Sequence, residues 1–579
     1  MMGFFQNMVD GFKPAIQPPT KDIDSVEYSF NDNDKEKIEN DQYGDATVAV
    51  KNKDEGLLQN SEDTTLKRGL QARHIQFIAI GGSIGTGLFI ATGENLHVGG
   101  PGFLMIDFII VAIMIITVVF ALGELAACFP VTGAFSTYAV RFIDPSWGFA
   151  CGYNYWLQWL VALPLEATAA TMVIRYWDQD QVVPRGVWIA IFLIIVGFVN
   201  LFGVRGYGEF EFFASVVKII GVIGFIICAI VIDCGGTPAN HYFGAEGWHK
   251  GDAFKNGFKG FSSVFINAAF AYSGSEIVGL AAAETENPRK HVPKASKQVL
   301  FRVLLFYLLS LFMISLIVSS DDPLLMSGSD SNDPSASPFV IALQRGEIYA
   351  LPKIFNAVIL ISTLSVGNAS VYGGSRTLLA LAEQGMAPKI FRYVDREGRP
   401  LPSVILSLLF GLLGFLSYSS DPQTVFSWLI SISGLSAIFA WASTCLAHIF
   451  FRLAWVKQGN HLIELPWCSP FGIWGSIFGF ILNLVVIGVS AYVGAFPIGE
   501  GSMDPAKRAD NFFNLMVSLP IAIVFFVLHK LIYRTRWLRF SEMDIQTGRR
   551  DPIPLEVLEQ EQAELRERPL FKKIFEFFF

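Results

Sequence analysis

The chain has 579 residues, 52% apolar and only 16% charged, with a mean hydropathy of +0.44. Soluble domains carry about 25% charge, so an ordinary soluble domain is excluded and the chain reads as an integral membrane protein. The formal charge of −8 equals that of the first 65 residues alone, where 14 acids face 6 bases, so the acidity describes a tail and implies no nucleic-acid partner.

Residues 1–65 are rich in Asp, Asn, Lys and Glu and read as a disordered cytoplasmic tail. They contain no cationic start followed by an apolar stretch, so no signal peptide is expected, and insertion falls to the first membrane helix. Twelve apolar segments follow within 66–533, at about 75–96, 102–128, 147–174, 187–203, 211–232, 259–283, 298–318, 351–382, 402–418, 423–448, 471–494 and 511–533. The expected fold is all-α and integral to the membrane, with twelve transmembrane helices. The five short loops assigned to the inside hold 13 Lys and Arg against 7 outside, which sets both termini in the cytoplasm. A soluble tail is expected from Arg534 to Phe579, with a short helix over 552–568 and exposed aromatics at Phe575 and Phe577–Phe579.

The first segment carries Gly81-Gly82-Ser83-Ile84-Gly85-Thr86-Gly87, four glycines in seven residues, each about 1 kcal/mol poorer than alanine in a helix. A small-residue packing face would explain scattered glycines, but not this cluster. A helix broken at mid-membrane frees backbone N–H and C=O groups that lipid cannot satisfy, and a bound polar solute is the natural partner. A phosphate loop is excluded, since no strand precedes the glycines and no Gly-Lys-Ser/Thr follows. The sixth segment repeats the theme, with Ser273-Gly274-Ser275 at mid-span and Glu276 next. Interrupted first and sixth helices suggest two five-helix halves inverted about an axis in the membrane plane, plus two further helices. A half-helix N-terminus would receive an anion, opposing carbonyls would accept from an ammonium, and a zwitterionic amino acid matches both.

Ionisable residues within the spans are Asp107, Glu124, Glu166, Lys218, Glu276 and Arg376. Each costs at least about 2.5–3.5 kcal/mol in lipid, so all must face protein or water. Asp107 and Arg376 fall near helix ends and read as interfacial; Glu124 reads equally as a helix tie or a functional group. Glu166 and Glu276 lie deeper. Lys218 has no acidic residue within one turn, and a desolvated amine that takes and releases protons suits a proton-coupled cycle; a snorkelling or fixed cation is the alternative. The six cysteines are scattered singly and the eight histidines form no ligand pair, so no disulfide framework, metal site or cofactor is expected beyond the proton itself. No nucleophile–base set suggests an enzyme, and Asn368-Ala-Ser370, a glycosylation triplet, lies inside an apolar span.

Gly81–Phe89, Gly123–Gly133, Tyr153–Leu160 with Leu163–Glu166, and Phe270–Glu276 carry a resemblance. So do Glu286–Lys294, Ser335–Leu343 and Asp544–Arg550. The sequence resembles the fungal amino-acid permeases of the amino acid–polyamine–organocation superfamily, and among them the general amino-acid permeases, from about Leu66 to Arg550. The resemblance implies proton-driven uptake of amino acids at the plasma membrane. It assigns the break at Ser83, Gly85, Thr86 and Gly87 to the substrate carboxylate, Ala271 and Ser273 to the facing break, and Phe270 to an aromatic gate. Glu166 and Ser433 would shape the side-chain pocket. Lys218 would stand where sodium sits in sodium-coupled relatives, next to oxygens of Ser365 and Asn368, with Glu276 a second proton-handling candidate. Lys13, Lys21, Lys35 and Lys37 are candidate attachment points for ubiquitin-ligase machinery. The chain ends in Phe-Glu-Phe-Phe-Phe where such permeases commonly end near Phe-Trp-Cys. An amino-acid sensor on the same fold, or a narrow-specificity permease, is the alternative to a broad-range symporter.

Overall fold

A computed structural model of the chain describes His74, residues 77–78, 84–549 and Pro569, apart from 132, 181, 251, 286–287, 326–336, 420–421 and 500–502. The tail 1–65 with its lysines, Ser83, the expected helix over 552–568 and the terminal phenylalanines lie outside the described residues.

Every regular element among them is helical. In order they are α1 (Thr86–Phe89), α2 (Ala91–Cys128), α3 (Ala134–Phe142), α4 (Pro145–Ile174), α5 (Arg185–Asn200) and α6 (Gly203–Asp233). The broken sixth segment supplies α7 (Gly257–Tyr272) and α8 (Ile277–Ala281), and α9 (Pro288–Ile317) and α10 (Pro338–Arg345) follow. The remainder are α11 (Leu351–Glu383), α12 (Leu401–Tyr418), α13 (Pro422–Lys457), α14 (Gly472–Ala495), α15 (Pro505–Met516) and α16 (Ser518–Tyr533). Among the described residues nine helices are long and apolar enough to cross a membrane, or ten if α15 and α16, bent by 64°, form one span. The apolar α5 is shorter, at 16 residues.

Local chemistry explains the interruptions. α2 is two helices joined at Gly100, whose φ of 74° lies in the left-handed region, followed by Pro101. A side chain at Gly100 would stand 2.4 Å from the Asp252 carbonyl oxygen. The same loop accepts the Gly102 N–H at Ala253 O, 2.8 Å, and so folds over this helix end. Asp107, expected at an interface, is instead fully buried about one to two turns further along the same helix. Arg376 is corrected in the same way: α11 runs on to Glu383, and the guanidinium is 4% exposed. α4 begins on Asp144, which accepts the Ser146 N–H at 2.7 Å, with Pro145 in the first turn where its missing N–H is harmless.

α4 packs chiefly against α11 and α13, and 83% of its apolar window is buried, against 33% for α14. A helix apolar on all faces is tolerated only inside a bundle or against lipid. Ile194 of α5 and Ile220 of α6, 69% and 66% exposed, belong to the lipid-facing kind. The stretch 534–549 lies against the bundle: Leu538 N–H donates to Ile143 O at 3.1 Å, and Gln458 Nε2 to Met543 O at 2.8 Å.

Candidate functional site

The two breaks meet. Gly85 is extended, and its carbonyl accepts from both Leu88 N–H (3.1 Å) and Phe89 N–H (3.0 Å), so the chain re-enters helix at Thr86. The first N–H groups of that turn cannot have partners within their own helix. Across from them α7 stops at Ser273, and Gly274 takes φ 90°. A methyl group at Gly87 would stand 2.5 Å from Ala271 Cα and 3.0 Å from Phe270 Cδ1, so only a glycine lets the two breaks approach this closely.

A cavity of about 350 Å³ opens between them. Gly85, Thr86 and Gly87 line it from one side, Phe270, Ser273 and Gly274 from the other. α4 contributes Gln158, Trp159, Ala162 and Glu166, while Val366 and Ser433 close the remaining walls. Thr86 Oγ1 donates to Glu166 Oε1 at 2.7 Å, but Glu166 Oε2, fully buried, has no partner among the described residues. Gln158 Nε2 donates to Ser273 Oγ (2.6 Å) and Glu276 Oε1 (3.3 Å), leaving Gln158 Oε1 without a partner among the described residues. The walls therefore offer helix-start N–H donors at the first break and two unfilled acceptors on α4, Glu166 Oε2 beside that break and Gln158 Oε1 beside the facing one. That polarity fits a zwitterion, and leaving such acceptors empty and buried costs about 1–3 kcal/mol each.

Below the cavity, Lys218 Nζ donates to Ser365 Oγ at 2.7 Å and stands 3.7 Å from Glu211 Oε1. Asn368 turns elsewhere and accepts from Asn200 Nδ2 at 2.7 Å. Glu284, at the end of the α8 segment, pairs with Arg376 Nε at 2.9 Å and accepts from Tyr372 OH at 3.1 Å. The Tyr372 ring stacks on Tyr207 at 4.2 Å between centroids.

A family model described as "Amino acid permease" matches residues 74–542. The chain is 48% identical to the general amino-acid permease GAP2 of Candida albicans over 521 residues, covering 89% of this chain and 87% of that one. It is 47% identical to the general amino-acid permease GAP1 of Saccharomyces cerevisiae, with 86% and 83% covered. To the cationic amino acid transporter 1 of Schizosaccharomyces pombe it is 45% identical, with 89% and 86% covered.

The chain belongs to the amino acid permease family. It is a multi-pass membrane transporter and not an enzyme, and amino acids are the substrate class that membership supports. In this permease, nine of the residues named from sequence fall at or beside the cavity or its supports. Gly85, Thr86, Gly87, Glu166, Phe270, Ser273 and Ser433 line it; Ala271 backs Gly87; and Glu276 holds Gln158. Lys218 is not itself a lining residue; it sits with Ser365 and Glu211.

Glu124 is a tie. It takes Arg452 in two bonds of 2.8 and 2.6 Å, lies 3.1 Å from His448 Nε2 and accepts the Ser469 N–H at 2.6 Å. Sequence reading missed Gln158, Trp159, Ala162 and Val366 as lining, and Glu211 and Glu284 as buried acids. Gln158 had a usable signal, an amide in an apolar span. Glu211 was hidden because the fifth segment was taken to begin at it, whereas α6 starts at Gly203.

Proposed function

We propose that this permease is a symporter that uses a proton gradient to import L-amino acids of broad range across the plasma membrane by alternating access. The observation that carries the reading is the cavity itself: two helix breaks face each other across it, with helix-start N–H donors at the first break and half-filled acceptors, Glu166 and Gln158, on α4. In this reading the described helices, the bent α15–α16 pair, α5 and the first segment make up twelve spans. Their core is two inverted five-helix halves, with both termini in the cytoplasm. The substrate carboxylate docks on the Thr86 and Gly87 N–H groups, its ammonium reaches the Glu166 and Gln158 acceptors, and Ser433 and Val366 border the side chain. Phe270, packed with Val161, Leu165 and Phe426, covers the cavity as a gate. The breadth of substrate is favoured by walls with few charges and by names such as general amino-acid permease among the relatives.

Lys218 carries the coupling in this reading. As an ammonium it donates to Ser365 and ties α6 to α11; as an amine it loses that charge-assisted bond, and the bundle can rock. The test uses cells lacking their own amino-acid permeases. Wild type should concentrate labelled amino acids, and a proton ionophore should abolish concentration. Lys218→Met should keep substrate exchange but lose accumulation against a gradient. If the Met variant still concentrates substrate in a pH-dependent way, Lys218 is not the coupling group. If wild type binds amino acids and moves none, the chain is a sensor.

A further inference from the structure

A proton that leaves Lys218 must go somewhere, and the chain places an acceptor in line. Lys218 Nζ donates to Ser365 Oγ at 2.7 Å, and Ser365 Oγ in turn donates to Glu211 Oε2 at 2.6 Å. The three groups come from two helices, α6 and α11, and Lys218, Glu211 and Ser365 are all fully buried. Glu211 precedes Lys218 by seven residues on α6, about two turns, so both side chains lie on the face that meets α11. We infer that Glu211 is the proton acceptor for Lys218 and begins the route by which the transported proton leaves the protein. This rests on the symport reading above.

The step balances. The Nζ–H bond of the Lys218 ammonium breaks as Ser365 Oγ takes that proton. Ser365 passes its own hydroxyl proton to Glu211 Oε2, so the products are a neutral amine and a neutral carboxylic acid, with no net charge moved out of the pair. Moving a proton this way avoids an isolated buried charge at either end. The hydroxyl is needed because Lys218 stands 3.7 Å from the nearer Glu211 oxygen, beyond hydrogen-bond reach.

Near Glu211 the chain also reaches the first segment. Ser215 Oγ, one turn on from Glu211, is 3.4 Å from Glu211 Oε1 and donates to the Phe77 carbonyl at 3.1 Å. Two residues before Glu211, Glu209 Oε1 meets His74 Nε2 at 3.1 Å, and the Glu209 side chain is 53% exposed. Among the described residues, charged or titratable groups acting on the pair include Glu166 of α4, Arg302 of α9 and Tyr207 of α6 itself, and Tyr207 in turn meets Tyr372 and Arg376 of α11 and Glu284. From α10, Arg345 is held by Asp322 at 2.6 Å, and α5 has no ionisable side chain after Arg185.

An ordinary buried ion pair would need only the opposite charge; a relay also needs a group that can hold the proton. Full-length protein reconstituted in vesicles with an internal pH dye separates the two, with radiolabelled L-leucine and L-lysine as probes. Glu211→Gln keeps the size and can still accept from Ser365, but takes no proton. It should retain exchange of labelled substrate and lose both substrate-driven acidification and accumulation. Glu211→Asp should restore acidification in part, with a displaced pH profile. Ser365→Ala should lose acidification, and Ser365→Thr should keep it. Acidification by Glu211→Gln at the wild-type rate overturns the relay while leaving symport intact. Loss of exchange and accumulation together in Glu211→Gln, with no rescue by Asp, makes Glu211 a structural counter-charge and also overturns it. If wild type itself shows no substrate-driven acidification, the symport reading falls first, and the relay with it.

Discussion

Two carboxylates, Glu124 and Glu166, are equally buried and mean opposite things. Glu124 is saturated: both its oxygens are filled by Arg452, with His448 and the Ser469 N–H alongside. His448 Nδ1 goes on to Ser476 Oγ at 2.8 Å, so one carboxylate fastens α2 to α13, α14 and the loop between them. Glu166 has one oxygen on Thr86 and the other without a partner among the described residues, facing a cavity. A folded protein leaves few buried acceptors unfilled, so the difference separates a carboxylate that holds helices together from one poised for a ligand.

The comparison breaks first at Glu124. Glu124→Ala strands a buried guanidinium, and breaking such a pair from one side costs about 3–5 kcal/mol. The variant should unfold at markedly lower temperature in detergent and reach the cell surface poorly, while the surviving fraction binds amino acids as wild type does. Weakened binding with unchanged thermal stability would move Glu124 to the functional side of the comparison.

Gly87 is the next test, because it probes the backbone donors of the first break in place of the side-chain acceptors. In Gly87→Ala the new methyl group meets the Ala271 backbone at 2.5 Å, and backbone cannot turn aside as a side-chain tip can. A displacement of about 1 Å between the breaks is expected to lower uptake about 100-fold. Surface amounts should be normal, since the crowding is confined to a cavity edge. Wild-type apparent affinity in this variant would show that the carboxylate docks elsewhere.

The contrast between the two acids also marks where the sequence was legible. Glycine clustering announced both breaks, because no other residue tolerates the close approach of Gly87 to Ala271 or the φ of Gly274. Glu124 and Glu166 looked alike in sequence, each a lone acid in an apolar run. Their partners, Arg452 and Thr86, lie 328 and 80 residues away, and only packing decides which oxygens are filled. Arg376 and Glu284 were invisible as a pair for the same reason. Asp107 was misjudged because its position was measured from the helix end, and distance along the chain does not show which elements pack around a residue.

Glu166 itself gives the smallest and most discriminating effect. Glu166→Gln keeps the volume and still accepts the Thr86 hydroxyl, and among the described residues no cation is hydrogen-bonded to Glu166, so the apo fold loses only the through-space attraction to Lys218. What is lost is the bond between an anion and an incoming ammonium, and a hydrogen bond to a charged group is worth about 1.5–3 kcal/mol, roughly tenfold or more in affinity. The loss should be common to all substrates if Glu166 meets the α-ammonium. It should be confined to lysine and arginine if Glu166 meets a cationic side chain. Competition of unlabelled neutral and cationic amino acids against one labelled substrate, on wild type and Glu166→Gln in parallel, reads this directly. Unchanged competition by both classes would mean that Glu166 Oε2 stays unfilled in the loaded transporter, and the half-satisfied carboxylate would then be no guide to the ligand.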